Sequence, residues 1–261
     1  MHIAALVAFV LLGAPLTGAA AQQAPAPVPV EEWPLERIEA MGAAIHRQDV
    51  AAWVGTDALL AHLDGAIPPG MAGWIVVDEG PDQRVRFIRD EAEILKAAFD
   101  ILVRDGRAGP VEAVDVPLSG AEQAQFLART TAARNIGRLR CSQQLNAVVL
   151  DDPDSEDWLV WLLTTTSDAN IVPMGGHYRF RISPDGSAVV RRDMLSNSCL
   201  NMPRSQQGEG ETAGLFITHI VSETPVETHV FLSLQNRLPI YVAAGDEVFA
   251  VEGARIREIE D

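Results

Sequence analysis

The segment Trp158-Leu159-Val160-Trp161-Leu162-Leu163 is apolar at six consecutive positions. A half-buried strand alternates apolar and polar residues, whereas a strand with two apolar faces is central and covered on both sides. The acidic turn Asp151-Asp152-Pro153-Asp154 separates this segment from a second strand-like stretch at residues 145–150. We therefore expect residues 158–166 to lie in the middle of a sheet that is covered by helices of the preceding half.

The chain from Cys141 onward has the two-residue periodicity of strands. Tyr178, Phe180 and Ile182 alternate with polar residues, and Pro184-Asp185-Gly186 then predicts a turn. Alternation and apolar runs predict strands at residues 145–150, 158–166, 178–182, 188–192, 215–221, 226–234, 240–244 and 248–251. This half therefore predicts a mainly antiparallel sheet.

Helical spacing dominates the preceding residues. A first helix is predicted at residues 34–46, and Thr56 is expected to cap a second, short segment. A further helix is expected from Asp90 to Gly106, with Ile94, Leu95, Phe99 and Leu102 as its apolar stripe. The capping box Ser119-Gly120-Ala121-Glu122 begins another helix. Two short strands at residues 74–77 and 85–88 form a hairpin around Gly80-Pro81-Asp82, and residues 111–116 form a further strand.

The two periodicities together predict an α+β fold. Its helical N-terminal half packs on a mainly antiparallel β-sheet formed by the C-terminal half. Residues 31–140 are the helix-rich half and residues 141–261 the β-rich half of the same globular unit.

The first 21 residues have the pattern of a secretory signal peptide. An apolar run at residues 3–12 is followed by Gly and Pro, and Ala19-Ala20-Ala21 provides small residues for cleavage. A Pro/Ala/Gln-rich spacer follows at residues 22–30. No later stretch approaches 18 apolar residues, so no transmembrane anchor is expected after cleavage. The protein is therefore predicted to be exported to the periplasm or the medium.

The charge of the protein indicates which kinds of partner it can bind. The formal net charge is −16, which disfavours binding to the phosphate backbone of nucleic acids. Of the 20 basic residues only Lys96 is lysine, and together with abundant Ala this indicates the coding bias of a GC-rich bacterium. A protein or a small ligand of the cell envelope is the expected partner.

The chain has two cysteines, Cys141 and Cys199. Neither belongs to a C-x-x-C or zinc-type spacing. In an oxidising compartment two such residues pair, so a structural disulfide is predicted; two buried free thiols are the alternative.

One histidine cluster could carry chemistry. His177, His219, Glu227 and His229 all lie in the predicted β-rich half, and two imidazoles with a carboxylate suit a divalent metal such as Zn²⁺. A loop of odd length at residues 223–225 would place His219 opposite His229 on an exposed face, whereas an even loop would separate them. The alternative is that these residues are hydrogen-bonded groups on the solvent face of a strand.

An arginine cluster on the predicted hairpin is the second candidate site. Its members are Arg179, Arg181, Arg191 and Arg192, and on an acidic protein they form a patch that could bind an anion. The alternative is ordinary cross-strand pairing with Asp193 or other carboxylates. Among the tryptophans, we expect Trp158 and Trp161 in the core and Trp33 and Trp53 to be partly exposed.

No catalytic motif of high specificity is present, so the sequence leaves open whether the protein is an enzyme. The favoured hypothesis is an exported, non-catalytic α+β protein that binds a ligand or a partner. The alternatives are a metal-dependent hydrolase that uses the His/Glu cluster and a structural factor of the envelope without a pocket.

Overall fold

The computed structural model describes residues 29–92, 94–204 and 214–260. Three helices and fourteen strands form within these residues. The helices are α1 (Leu35–His62), α2 (Gly120–Arg134) and α3 (Glu227–Asn236). The strands are β1 (Met71–Glu79), β2 (Asp82–Glu91), β3 (Ile94–Arg104), β4 (Arg107–Pro117), β5 (Leu145–Asp151), β6 (Trp158–Thr164), β7 (Ile171–Pro173), β8 (Tyr178–Ile182), β9 (Val189–Met194), β10 (Asn201–Pro203), β11 (Leu215–His219), β12 (Ile240–Ala244), β13 (Glu247–Glu252) and β14 (Arg255–Glu258).

Helix α1 is one continuous helix of 28 residues, not the two predicted segments. Thr56 was expected to cap a second helix, but its hydroxyl donates to the Ala52 carbonyl oxygen one turn earlier at 2.7 Å. A threonine that bonds four residues back lies inside a helix and does not end it. Ile38 and Ile45 of this helix are buried in the core.

The strands β1–β4 form an antiparallel meander in sequence order. The predicted hairpin between β1 and β2 is confirmed, but residues 94–104 form strand β3 where a helix was predicted. The register of β3 shifts against β4 between Ala97 and Phe99 and again between Ile101 and Val103. Such bulges break strict alternation, so the apolar spacing of this strand resembles that of a helix.

Strand β6 is central in the sheet β5-β6-β8-β9, as its two apolar faces predict. Val160 and Leu162 pack on one face with Ala128 and Ala132 of α2. Leu159, Trp161 and Leu163 pack on the other face with residues of α1 and α3. The sheet is therefore enclosed by α2 on one side and by α1 and α3 on the other.

The segment 226–234 was predicted as a strand, but Val226 is the N-cap of helix α3 and residues 227–234 belong to that helix. This helix connects β11 to β12, which pair in parallel. A parallel pair needs a crossover connection, and a helix supplies it. Because residues 226–233 are all buried, their apolar pattern could not distinguish a buried strand from a buried helix.

The α+β class is confirmed, but the division into a helical half and a sheet half is wrong. The first half contributes the four-stranded meander β1–β4, and one of the three described helices lies near the C-terminal end of the chain. The strands form four sheets, and all described strand pairs except β11–β12 are antiparallel.

Helix α1 joins the parts of the molecule. Its first turns pack closely on α3, where a Cβ added to Gly42 would lie 2.4 Å from Val230 Cβ. Its later turns pack on the β1–β4 sheet, where a Cβ added to Gly55 would lie 2.9 Å from a Val85 methyl group. One helix therefore contributes to two hydrophobic cores.

The structure also contains the predicted disulfide between Cys141 and Cys199, with 5.3 Å between the Cα atoms. It links the segment before β5 to the loop between β9 and β10. None of the helices in the described ranges has the length and apolarity that a membrane crossing needs.

Candidate functional site

The predicted His/Glu cluster lies around the start of α3. His219 ends β11, whereas Glu227 and His229 lie in the first turn of α3. Side chains two positions apart on a helix point in directions about 200° apart. Glu227 and His229 therefore do not share a face, as they would on a strand. Glu227 Oε1 accepts from Trp161 Nε1 at 2.7 Å, and Glu227 Oε2 pairs with Arg179 at 3.1 Å.

The three histidines are buried, whereas the sequence predicted an exposed spot. The rings of His219 and His229 contact edge to face, with centroids 4.8 Å apart. His177 Nδ1 accepts the Thr164 backbone N–H at 3.0 Å, and His229 Nδ1 accepts that of Val226 at 3.1 Å. An acceptor nitrogen carries no proton, so both rings are neutral.

Burial lowers the pKa of His177 and of His219 to about 4. The pKa of His229 falls well below its ordinary value because of burial first and the neighbouring histidines second. In the described ranges no group of three or more His, Cys, Asp or Glu side chains is arranged to hold a metal ion. Binding of Zn²⁺ by the four residues stays a prediction.

Three of the four clustered arginines pair with carboxylates. Arg179 is buried and pairs with Asp193 at 2.7 Å in addition to Glu227. Arg181 pairs with Glu31 and Asp152, and Arg191 with Asp193. Arg192 donates to the Asn135 carbonyl oxygen at 3.0 Å. The Arg179–Asp193 pair is a cross-strand pair of the kind that the alternative describes. Binding of an anion by the four arginines stays a prediction.

Trp33 belongs to the same network and is buried, although partial exposure was expected. The Arg179 and Arg37 guanidinium carbons lie 3.8 Å and 4.1 Å from its ring centroid. The Trp33 ring therefore packs against two cations, and these contacts account for its burial.

A concave region lies along the face of α1 that carries His46, Asp49 and Trp53. A cavity of about 660 Å³ is bordered by His46, Asp49 and Trp53 of α1, by Asn146 of β5, and by Gln235 and Arg237 at the end of α3. A second cavity of about 190 Å³ shares Asp49, Trp53 and Asn146 and extends to Gln48, Thr56 and Trp74. We call the two cavities together the Trp53 groove.

Helix periodicity places the α1 residues of this groove. His46, Asp49 and Trp53 stand at i, i+3 and i+7, so they share one helix face. Ile38 and Ile45 lie on the adjacent side of the helix and are buried in the core. Trp53 is 64% exposed although it is a large apolar side chain.

Two amides hold the carboxylate of the groove. Asn146 Nδ2 donates to Asp49 Oδ1 at 3.2 Å, and Gln235 Nε2 donates to Asp49 Oδ2 at 3.4 Å. Burial raises the pKa of Asp49, and the Asn146 hydrogen bond opposes that rise. Burial and the nearby positive charge of Arg237 lower the pKa of His46.

Arg237 ends α3 in the left-handed conformation, with φ 54° and ψ 40°. Glycine is the usual residue at such a position because a Cβ is disfavoured there. A strained non-glycine residue that borders a cavity is an observation that suggests a function for its side chain.

Sequence patterns could have revealed only part of this groove. The polar and aromatic face of α1 becomes visible once the helix is extended past His46 through Trp53. Asn146 and Arg237 are distant in sequence from α1, and no local signal links them to it. No protein-family model matches the chain, and no curated protein matches it.

Proposed function

We propose that this is an exported, non-catalytic protein that binds a small ligand in the Trp53 groove. The observation that carries the proposal is an exposed tryptophan on the wall of a cavity of about 660 Å³, beside a carboxylate that two amides hold in place. Pockets that combine apolar surface with a few oriented polar groups are the usual form of ligand sites.

The exposure of Trp53 supports binding. A tryptophan presents a large apolar face and one N–H donor, and water solvates the face poorly. An indole kept at the surface on the rim of a cavity gains contact area when a ligand covers it. Burial of apolar area contributes about 25 cal/mol per Å², so the indole can supply a large part of the binding free energy.

The hydrogen bonds of Asp49 support recognition rather than catalysis. Both carboxylate oxygens accept an amide hydrogen, so the side chain is oriented before any ligand arrives. Pre-orientation reduces the entropy that binding would otherwise lose. A carboxylate fixed by two donors is suited to accept hydrogen bonds from a ligand.

The first 21 residues and the disulfide support export. A bond between Cys141 and Cys199 persists in an oxidising compartment and is rare in the cytosol. When the full chain is expressed in a bacterium with two membranes, we expect a periplasmic product that begins at Gln22. A chain without residues 2–21 is the control and should stay in the cytosol. A full-length chain found in the cytosol with Met1 present would contradict export.

Ligand binding is tested with a panel of neutral sugars, amino acids, nucleosides and organic acids. At a ligand concentration of 100 Kd the free energy of unfolding rises by about 2.7 kcal/mol, which a thermal melt detects. We expect at least one compound to raise the melting temperature of the native protein and to lose that effect with Trp53→Ala. A panel without any stabilising compound would overturn the proposal. Chemical conversion of the bound compound would overturn its non-catalytic part.

A further inference from the structure

We infer that the ligand of the Trp53 groove is a neutral oligosaccharide. This inference rests on the proposed function, because it names the chemical class that the same groove takes. Three features carry it: the mixture of donors and acceptors, the tryptophans that line the groove, and its extension over two adjacent cavities.

The polar side chains of the groove require a ligand group that both donates and accepts. Asp49 accepts, Arg237 donates, and the amides of Asn146 and Gln235 do both. Each amide uses one N–H for Asp49 and has a second N–H and a carbonyl oxygen in addition. A hydroxyl group is a donor and an acceptor at once, whereas an ammonium group only donates and a carboxylate only accepts. A polyhydroxylated ligand therefore fits this set better than an amine or an acid.

The charges along the groove also disfavour an ionic ligand. Asp49 and Arg237 carry opposite charges at the same cavity. An anion would meet Asp49 and the net charge of −16, and a cation would meet Arg237. A neutral ligand meets neither repulsion.

Two tryptophans line the groove. Trp53 is 64% exposed, and Trp74 borders the second cavity, held by Arg129 at 4.1 Å from its ring centroid. A pyranose ring has one face of C–H groups and an edge of hydroxyl groups. The C–H face can cover an indole while the edge reaches the side chains of Asp49 and Asn146.

The groove offers room for more than one sugar ring. Its two cavities, of about 660 and 190 Å³, share Asp49, Trp53 and Asn146 in their linings. A ligand that spans both cavities would place one ring near Arg237 and another near Trp74. Affinity should therefore increase from a monosaccharide to a tetrasaccharide.

The test is calorimetric titration of the mature protein with chitotetraose, cellotetraose and maltotetraose, each beside its monosaccharide. We expect at least one tetrasaccharide to bind more tightly than its monosaccharide and to change the tryptophan fluorescence. Trp53→Ala should weaken binding at least about tenfold, since the aromatic contact is lost. Phe216→Ala is the matched control, because Phe216 is an aromatic of similar exposure (58%) on β11, and it should leave affinity unchanged.

Three results would overturn the inference. The first is that none of the three tetrasaccharides binds while another class of the small-molecule panel does; the proposed function then stands and only the saccharide class is wrong. The second is that no compound of either panel binds, in which case both proposals fail. The third is that Trp53→Ala and Phe216→Ala weaken binding equally, which would place the sugar outside the groove.

Discussion

At the scale of single residues, Arg237 combines a backbone cost with a position beside the Trp53 groove. Its left-handed conformation is one that glycine adopts freely. We predict that Arg237→Gly raises the free energy of unfolding by about 1 kcal/mol, as glycine does at helix ends of this kind. The same change should weaken ligand binding, because a donor is lost from the cavity. Urea denaturation and titration of the same sample measure the two effects.

Arg237→Ala separates the two contributions, because it removes the guanidinium and keeps a Cβ. It should weaken binding as much as Arg237→Gly does but give no gain in stability. Equal binding by native protein and by both variants would show that Arg237 makes no contact with the ligand.

The buried histidines make the stability depend on pH. The folded pKa of His177 and His219 is about 4, below the unfolded value of 6.5. As the pH falls below 6.5, the unfolded chain takes up protons that the folded chain does not. The free energy of unfolding therefore has its full value above pH 6.5 and decreases as the pH is lowered. At pH 5 each of the two residues should remove about 2 kcal/mol from the free energy of unfolding.

Urea denaturation at pH 7.5 and pH 5 checks this dependence. The variant His177→Asn should be less stable at pH 7.5 but should lose less on acidification than the native protein. His62→Gln is the control, since His62 lies exposed at the end of α1. A native protein whose stability is equal at the two pH values would contradict the prediction.

At the scale of elements, strand β6 depends on cover from both sides. Leu162 is 2% exposed and packs between the sheet and α2. We predict that Leu162→Asp abolishes soluble expression, because an unpaired buried carboxylate costs several kcal/mol. Val190→Asp is the matched control: Val190 lies on β9 of the same sheet but is 57% exposed. Normal yield and melting temperature for Leu162→Asp would mean that the strand is not central.

The same strand shows what sequence patterns could predict. Six apolar residues without alternation were enough to place β6 centrally and to predict helices over it. They could not identify those helices, because a helix face and a bulged strand such as β3 share similar apolar spacing. The strand prediction at α3 was wrong for a related reason. Residues 226–233 are all buried, so their apolar pattern has no periodicity that distinguishes a helix from a strand. The Trp53 groove depends on a contact between residues 186 positions apart, Asp49 and Gln235, which local patterns do not contain.

At the scale of the whole molecule, the contact between α1 and α3 joins the two halves of the chain. A Cβ on Gly42 would approach both Val230 Cβ and the Glu227 carbonyl oxygen, at 2.4 and 2.7 Å. We predict that Gly42→Ala lowers the free energy of unfolding by about 1–3 kcal/mol, since the two helices must move apart. Gly120→Ala is the control, because a Cβ on this helical glycine meets nothing within 4 Å and alanine favours helix. Equal stability of the two variants, measured by urea denaturation, would contradict the close helix contact.

The position of α1 in the chain also has a consequence for the order of folding. This helix precedes every described strand, yet Ile38 and Ile45 belong to a hydrophobic core that also contains residues as late as Phe249 and Val251. During synthesis this core therefore stays incomplete until Val251 has been made, 206 residues after Ile45. Contacts of such separation form slowly, because the loop between them must close first. Part of the apolar surface of α1 consequently stays exposed until late in synthesis. We expect a holding chaperone to bind the newly made chain at α1.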